Sequence, residues 1–447
     1  MEHESRTSGI ALSGGGNRAA LFALGSLLYF VDAEKNRSTC SISSVSGGSL
    51  TNGYVAQLGE FEQQTSKTFR EGLKPLIRCL AKSSPLWGWC GTWLYLAVVI
   101  VAIAGVFCLG ICVDLAALVP GVPSANWFRI LVIVVGLALV ERILIRNRTV
   151  VVSWAFASKL FNNAGVNTLL ANTANPQVDH VICSTNLNSG KHFYFSGRFV
   201  YSYATGGGEP GSFPLHAAVQ VSSCFPGALP ARWIRTCQFH FKKSNAPAWL
   251  AFVDGGVYDN MGEQWLVNDD RKDRKDGAPV VREPQEVIIV NSSANERHSS
   301  LATLSLPFVG ELFGLVRIIN TLFENTTTTR RQYLFSRFQK NHPAGCFVTI
   351  DQKPYSVAEK LKADPQYQPR AAAVRTALAN QSDEFWDKLA DRTSHAPTTF
   401  RGMGVDCATD LLWHGYLNAM CNSHVVLGYP LLAVPTREQI RQYVQES

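Results

Sequence analysis

Residues 40–54 read CSISSVSGGSLTNGY, and this stretch decides how the fold is interpreted. The β-prone residues 39–45 run into a serine and two glycines, after which apolar residues recur at helical spacing. A nucleophile elbow needs small residues two positions before and two positions after its serine, because the backbone is crowded there. Ser46 meets this requirement through Ser44 and Gly48. The stretch therefore predicts a strand, a sharp turn at Ser46 and a helix, with an ordinary polar turn as the alternative.

A glycine loop lies upstream of this stretch. Residues 13–19 read SGGGNRA, after an apolar run at residues 9–12 and before a helical pattern that begins at Arg18. The first amides of a helix lack partners and lie at the positive end of its dipole. Three residues therefore form a candidate cradle for an anion: Gly14, Gly15 and Gly16. Arg18 either supports this loop or binds a phosphate, although the spacing of Walker A and dinucleotide loops is absent.

A third glycine turn follows an apolar run near the middle of the chain. Residues 252–260 read FVDGGVYDN, so Asp254 ends a predicted strand. A partly desolvated carboxylate gains basicity and can accept the proton of a serine hydroxyl without a histidine. An ordinary Asp-Gly turn is the alternative. Asp259 and Asn260 are interpreted as turn or support residues.

Together the three turns resemble the motifs of the patatin-like phospholipases, which are related to the group IV cytosolic phospholipases. That family has a G-G-G-x-R/K loop, then G-x-S-x-G on an elbow, and later D-G-G. Here these motifs correspond to residues 14–18, 44–48 and 254–256. Residues 217–231, AAVQVSSCFPGALPA, are similar to a further family segment between the elbow and the aspartate. No single motif is specific, but their combination and order are.

The resemblance implies a serine hydrolase of the phospholipase A, lysophospholipase or lipid acyl hydrolase type. Ser46 is the implied nucleophile and Asp254 its base, with the oxyanion held at Gly14, Gly15 and Gly16. Supporting roles fall to four further residues: Arg18, Gly48, Gly255 and Gly256. The implied reaction is hydrolysis of a carboxylic ester in a phospholipid or other acyl lipid through an acyl-enzyme, without a metal or cofactor.

Two residues depart from the family pattern. Ser44 replaces the first elbow glycine, and Ser13 stands where many patatins have aspartate, as in the cytosolic phospholipase branch. Neither departure removes a catalytic group. They bear on substrate fit, and the sequence leaves the head group, acyl position and chain length open.

The order of apolar runs predicts an α/β fold. QEVIIVNSSA at residues 285–294 and GCFVTIDQ at residues 345–352 are typical of parallel strands buried on both faces. Such strands alternate with helical patterns, as in a parallel sheet. Residues 310–338 predict an amphipathic helix, a polar Thr run and more helix. The resemblance implies the patatin-like three-layer fold with a mostly parallel central sheet.

An apolar insertion interrupts this pattern. Residues 83–113 contain no charge, and a weaker apolar run covers residues 126–145. A membrane crossing needs roughly 20 residues. Basic residues flank both outer ends, which by the positive-inside rule face the cytoplasm: Arg70, Lys74, Arg78 and Lys82 before, and Arg142, Arg146 and Arg148 after. We predict a transmembrane hairpin with spans at about 93–113 and 127–145, and a pair of buried core helices is the alternative.

The hairpin divides the chain into three parts. Residues 1–82 form the first part of the patatin-like domain, residues 83–148 the hairpin, and residues 149–447 the second part with a C-terminal helical extension. Ser46 precedes the hairpin and Asp254 follows it, so they meet only if the chain crosses the membrane an even number of times. The prediction is an integral membrane protein with its catalytic domain on the cytoplasmic side, and a homo-oligomer formed through the hairpin stays open.

Composition agrees with a lipid-associated protein. The 447 residues are 17% charged with a net charge of +7, and the mean hydropathy is +0.03. This charge fits contact with an anionic lipid surface, and the absence of a Lys/Arg-rich run argues against nucleic-acid binding. The 11 cysteines are scattered without C-x-x-C pairs, which favours a reduced compartment and no zinc site. No secretory signal peptide is visible at the start of the sequence.

Two other functions compete with the Ser-Asp hydrolase. One is a Ser-His-Asp lipase, for which the order of elbow folds offers four histidines after Asp254: His298, His342, His414 and His424. None of them has a distinctive sequence setting. The other is a catalytically inactive membrane scaffold or lipid-transfer protein of the same fold.

Overall fold

A computed structural model describes residues 6–113, 126–163, 165–242, 246–267, 282–293, 309–340 and 343–447. A central sheet of 10 strands has the order β12-β11-β1-β2-β5-β6-β7-β8, with β10 paired to both β5 and β9. The first five strands of this order are mutually parallel. This α/β architecture with a parallel centre confirms the predicted fold class. The strands are β1 (Ser8–Leu12), β2 (Thr39–Val45), β3 (Asn162–Asn163), β4 (Val166–Asn167), β5 (Asp179–Asn186), β6 (Lys191–Ser196), β7 (Val200–Ser202), β8 (Gly206–Gly208), β9 (Arg232–Arg235), β10 (Trp249–Asp254), β11 (Glu286–Asn291) and β12 (Ala344–Thr349).

Helices cover the sheet on both faces, as the continuous burial of β1, β2, β5 and β11 requires. The predicted helix at residues 310–338 is one element, which continues through the Thr run. The helices are α1 (Gly16–Asp32), α2 (Gly47–Gln57), α3 (Ser66–Arg78), α4 (Cys90–Cys112), α5 (Asn126–Ile143), α6 (Arg148–Lys159), α7 (Leu215–Ser222), α8 (Gln264–Val267), α9 (Val309–Gln339), α10 (Ser356–Leu361), α11 (Gln368–Ala377), α12 (Asp383–Ser394), α13 (Val405–Leu427) and α14 (Arg437–Glu446).

Helix α1 lies at the centre of the molecule and is buried from Gly16 to Val31. It packs so closely on α13 that a Cβ added at Gly25 would lie 2.0 Å from the Leu412 carbonyl oxygen. Gly415 makes the reciprocal approach to the Phe22 carbonyl oxygen, at 2.1 Å. The predicted C-terminal extension is therefore part of the same hydrophobic core and not an appendage.

The register of the sheet determines where the ends of two strands meet. Val45, the last residue of β2, pairs with Cys183 of β5. From Ser184 onward, β5 pairs with β10 instead of β2. Asp254, the last residue of β10, pairs with Ser184. Because β10 runs antiparallel to β5, its carboxyl end meets the carboxyl end of β2. The residue after Val45 is Ser46, so the register brings the predicted nucleophile and base together.

Helices α4 and α5 form an antiparallel pair outside the sheet. A Cβ added at Gly110 would lie 2.3 Å from Ile133, and one added at Gly136 would lie 2.6 Å from Val106. Their apolar side chains are mostly exposed, with Val101 reaching 69%. The alternative of buried core helices is therefore wrong.

Within the described residues, one helix is long and apolar enough to cross a membrane, namely α4. Helix α5 contains Arg129, Glu141 and Arg142 within its 18 residues. The second span, and with it the transmembrane hairpin, stays a prediction.

Candidate active site

The turn between β2 and α2 holds Ser46 in a strained backbone conformation. Its φ of 51° and ψ of −117° lie outside the regions that non-glycine residues favour. The surroundings stabilise this conformation from both sides. The Ser46 amide donates to Ser222 Oγ at 3.0 Å, and the Ser223 hydroxyl donates to the Ser46 carbonyl oxygen at 3.1 Å. Strain of this kind at a strand-to-helix turn is the geometry of a nucleophile elbow.

Ser44 occupies the position where the family pattern has a glycine. Its side chain is buried, and its hydroxyl donates to the Val181 carbonyl oxygen at 3.2 Å. The Ser44 oxygen accepts from Ser49 Oγ at 3.1 Å and from Asn52 Nδ2 at 2.9 Å. The departure is accommodated because this buried hydroxyl is bonded to β5 through Val181 and to α2 through Ser49 and Asn52.

The glycine loop between β1 and α1 lies against the elbow. A Cβ added at Gly47 would lie 2.1 Å from the Gly16 carbonyl oxygen, and one added at Gly48 would lie 2.5 Å from the Leu12 carbonyl oxygen. A Cβ at Gly14 would lie 3.3 Å from Ser46 Cβ. Glycine is required at these positions because no side chain fits between the loop and the elbow.

Backbone amides in this loop differ in their availability. The Gly14 amide donates to the Asn260 carbonyl oxygen at 2.9 Å, so the structure corrects the expectation that it is an oxyanion donor. Within the described residues, the amides of Gly15 and Gly16 donate to no acceptor, and the same holds for Gly47. Gly15 and Gly16, with φ of 137° and 61°, adopt conformations that favour glycine. The candidate oxyanion hole therefore consists of Gly15, Gly16 and the unanticipated Gly47.

Arg18 lies beneath the loop and does not face an open site. It is 2% exposed, and its Nη1 donates to the carbonyl oxygens of Ala396 at 2.9 Å and Ser394 at 3.4 Å. Of the two predicted alternatives, this geometry fits the supporting role. The guanidinium connects the start of α1 to the segment that follows α12.

Asp254 ends β10 in an almost fully buried position. Its amide donates to the Cys224 carbonyl oxygen at 2.9 Å, and its Oδ1 accepts from the Gly256 amide at 2.8 Å. A Cβ added at Gly255 would lie 2.4 Å from the Cys183 carbonyl oxygen. The two glycines after Asp254 thus have separate roles: Gly255 allows close packing on β5, and Gly256 orients the carboxylate.

Burial controls the ionisation of Asp254. Desolvation raises its pKa from 3.8 to about 7, although the Gly256 amide and the Ser46 hydroxyl lower it in part. Asp254 Oδ2 has no partner within hydrogen-bond distance in the described part of the chain. The Ser46 hydroxyl is thus near enough to influence the pKa but does not form a full hydrogen bond, as is common in catalytic pairs without substrate. A carboxylate with a pKa near neutrality is suited to accept a proton.

The chain also matches known proteins. The patatin-like phospholipase family model matches residues 10–264, which is more than half of the chain and includes all three glycine turns. The chain belongs to the patatin-like phospholipase family. Residues 10–264 are accordingly a serine hydrolase domain of the phospholipase type, and this family acts on lipids. No curated protein matches the chain in sequence.

Solved structures give weaker likenesses to this patatin-like chain. Human GIVD cytosolic phospholipase A2 has a TM-score of 0.46 at 12% identity, covering 100% of this chain but only 64% of that one. VipD from Legionella pneumophila has a TM-score of 0.26 at 10% identity, covering 98% of this chain and 91% of that one. At these TM-scores the two structures add nothing to the family model.

Two serines that support the patatin-like elbow were not singled out by the sequence. Besides its bond to the Ser46 amide, Ser222 donates to the Cys183 carbonyl oxygen at 2.6 Å. Ser223 is bonded to the other side of Ser46. Both lie in the segment 217–231 that resembles the family pattern, so that segment was the signal, although it did not indicate their role.

Of the four histidines of the competing Ser-His-Asp hypothesis, the two that the structure describes, His414 and His424, do not lie at this site. His298 and His342 fall outside the described residues. His414 is buried in α13, where its Nδ1 pairs with Thr393 Oγ1 at 2.7 Å. His424 Nδ1 pairs with the Tyr429 carbonyl oxygen at 2.7 Å. The last two are structural residues of the C-terminal helices.

Proposed function

We propose that this protein hydrolyses carboxylic esters of phospholipids or related acyl lipids with Ser46 as nucleophile and Asp254 as general base. The observation that carries the proposal is the sheet register, which sets a strained serine beside a buried carboxylate. The raised pKa of Asp254 supports the assignment, because a base that titrates near pH 7 can both accept and return a proton.

The first half of the reaction forms an acyl-enzyme. Asp254 takes the hydroxyl proton of Ser46 while Ser46 Oγ forms a bond to the acyl carbonyl carbon. The electron pair of the carbonyl moves to its oxygen, which the amides of Gly15, Gly16 and Gly47 receive. Each such donor typically contributes about 3–4 kcal/mol. When the tetrahedral intermediate collapses, the ester bond breaks and protonated Asp254 gives its proton to the departing alcohol.

The second half releases the fatty acid. Asp254 takes a proton from water, whose oxygen attacks the acyl carbon, and the same amides receive the oxyanion. Collapse breaks the bond to Ser46 Oγ, which recovers its proton from Asp254. No group besides these is needed to balance the atoms and charges of either half.

We further propose that α4 and α5 anchor this domain in a membrane as a two-span hairpin. The exposed apolar faces support this, as does the packing of small residues at Gly110 and Gly136, which membrane helices use for close approach. The nearness of Ser46 and Asp254 is compatible with an even number of crossings. Residues 1–82 and 149–447 would then form one catalytic unit on the cytoplasmic side.

The test is lipid mass spectrometry on vesicles that contain the full-length protein. Wild type is expected to release fatty acid, and Ser46→Ala is expected to lower the rate by at least about 1000-fold. The matched control is Ser189→Ala, which removes a hydroxyl that has no partner among the described residues. Identical lipid profiles for wild type and Ser46→Ala would overturn the proposal.

A further inference from the structure

Strands β9 and β10 form a two-stranded ribbon with an unusual exposed face. Trp233 and Arg235 alternate with buried Ile234 along β9, and Trp249 of β10 pairs with Arg235. Trp233 is 56% exposed and Trp249 is 45% exposed, whereas Leu250 beside it is buried. We call Trp233, Arg235 and Trp249 the ribbon face. Two exposed tryptophans on one small surface usually indicate an interaction site.

The ribbon face is continuous with the end of the apolar helix pair. The Arg146 guanidinium lies over the ring of Trp233, 5.0 Å from its centre. Arg148 Nε donates to the Ala228 carbonyl oxygen at 3.0 Å, which connects the start of α6 to the segment before β9. Both arginines follow α5 directly. The ribbon face therefore begins where the proposed membrane anchor ends.

Its charge and aromatic content match a bilayer surface. The Arg235 guanidinium lies over Trp249, 4.9 Å from the ring centre. Neither Arg146 nor Arg235 forms an ion pair with a carboxylate of the described residues, so both positive charges are available to a partner. Tryptophan is enriched at the headgroup level of membranes, and basic residues are attracted to anionic lipids.

We propose that the ribbon face docks the catalytic domain onto the anionic surface of the bilayer that holds the helix pair. Arg235 and Trp249 also line a wide, open depression of about 720 Å³ in this surface. Trp249 and Asp254 are the two ends of β10, roughly 17 Å apart along an extended strand. The proposal rests on the membrane anchoring proposed above.

The first test measures the rates at which the full-length protein hydrolyses two substrates, vesicle phospholipid and a water-soluble short-chain ester. The protein is held in phosphatidylcholine vesicles with or without phosphatidylserine. Trp233→Ala/Trp249→Ala and Arg146→Gln/Arg235→Gln are each compared with wild type. Hydrolysis of vesicle phospholipid is expected to fall about 20-fold for the arginine pair at low salt, and only with phosphatidylserine present. Hydrolysis of a water-soluble short-chain ester is expected to stay unchanged.

The matched control removes two exposed aromatic residues from α9, Tyr333→Ala/Phe335→Ala, and is expected to change neither rate. Unchanged vesicle hydrolysis in both ribbon variants would overturn the proposal. An equal loss of hydrolysis rate on vesicle phospholipid and on the soluble ester would overturn it as well. The substitutions would then have disturbed the position of Asp254 at the other end of β10. For the arginine variant, a loss that is the same with and without phosphatidylserine would indicate an uncharged partner surface and contradict docking on anionic lipid.

The second test does not depend on hydrolysis. In the Ser46→Ala background, tryptophan fluorescence is measured in vesicles that carry a spin label on the lipid headgroup. Compared with the Ser46→Ala protein that keeps both tryptophans, Trp233→Phe/Trp249→Phe in the same background is expected to show less quenching. Equal quenching would overturn docking. If the protein with Ser46 intact hydrolyses no ester, while Trp233 and Trp249 are still quenched, docking would be retained and the proposed function rejected.

Discussion

At the scale of single residues, Ser46 and Asp254 are both held in unfavourable states by their neighbours. A positive φ at a non-glycine residue costs of order 1–3 kcal/mol. The hydrogen bonds that Ser46 donates to Ser222 and accepts from Ser223 hold it in that conformation. Among the described residues, the buried Asp254 has no ion pair, and only the Gly256 amide donates a full hydrogen bond to its carboxylate. The strained backbone of Ser46 and the buried carboxylate of Asp254 both lower the stability of the fold, and both favour a chemical reaction at these residues.

The raised pKa of Asp254 predicts opposite pH dependences for activity and stability. Activity requires the ionised base, so kcat/KM is expected to rise with pH and level off above about 7. Native Asp254 binds its proton more tightly than the unfolded chain does. Protonated Asp254 therefore adds about 4 kcal/mol to the free energy of unfolding below about pH 4. This contribution is lost as the pH rises to about 7.

Asp254→Asn separates these effects. The variant is expected to lose activity and to lose the fall in stability between about pH 4 and pH 7, as measured by urea unfolding at several pH values. A wild-type rate profile that is flat between pH 5 and pH 8 would be inconsistent with Asp254 as the base.

At the scale of elements, the contact between the glycine loop and the elbow sets the active-site geometry. Gly47→Ala would place its Cβ 2.1 Å from the Gly16 carbonyl oxygen and push the loop away from Ser46. We expect kcat to fall by about 100- to 1000-fold, as for loss of an oxyanion donor. Gly314→Ala on α9, where a Cβ meets nothing within 4 Å, serves as the control and should retain activity. Steady-state kinetics on a soluble ester gives both values, and a fully active Gly47→Ala would contradict this geometry.

Helix α9 supports the turn after Asp254 through one arginine. Arg330 Nε lies 3.3 Å from Glu263 Oε1 and 3.8 Å from Asp259 Oδ1, and both acids are buried. Burial and nearby Asp259 raise the pKa of Glu263. Burial opposes the ionisation of Asp259, but the neighbouring Glu263 carboxyl and the charge of Arg330 still hold its pKa below the ordinary value. Asp259 then accepts from the amides of Met261, Gly262 and Gln264, which shapes the turn.

Arg330→Met would leave this buried acid pair without its cation. The free energy of unfolding is expected to fall by about 3–5 kcal/mol, as is typical when one partner of a buried pair is removed. The control is Arg375→Met, which breaks exposed ion pairs with Glu359 and Asp383 and should cost at most about 1 kcal/mol. Chemical denaturation measures both, and equal effects would show that the Arg330 cluster adds no more than a surface pair.

Much of this local structure could be predicted from the sequence, because strained turns require particular residue types. The three glycine turns and Ser46 follow from the crowding that only small residues tolerate. The sequence could not predict in this way which backbone amides are free to bind an oxyanion. Gly14 and Gly15 are neighbours of the same type, yet the carbonyl of Asn260, far along the chain, takes up the Gly14 amide. The use of Gly47 depends on the same three-dimensional placement.

At the scale of the whole molecule, the α4–α5 pair is expected to hold the protein in a bilayer. Val98 and Val134 are 46% and 57% exposed on the two helices. An arginine at the centre of a span costs about 2.5–3.5 kcal/mol, so Val98→Arg/Val134→Arg is expected to release protein into the supernatant on alkaline carbonate extraction. Val166→Arg, at an exposed valine outside the helix pair, should stay in the membrane pellet with wild type. Extraction of the wild type by carbonate would refute the anchor.

The relation between distant parts of the chain was the least predictable feature. Composition indicated helices near the C-terminus, but not that α13 packs on α1 through Gly25 and Gly415. A helical pattern shows which face is apolar and leaves its partner open. The meeting of β2 and β10 depends likewise on pairing with β5, which no local pattern encodes.

The central claim, that Ser46 is a nucleophile activated by Asp254, is tested most directly by mapping a fluorophosphonate label on the full-length protein. Peptide mass spectrometry is expected to locate the label on Ser46, and Asp254→Asn is expected to slow labelling by at least about 100-fold. A label on another serine, or labelling of Ser46 at the wild-type rate in Asp254→Asn, would contradict the claim.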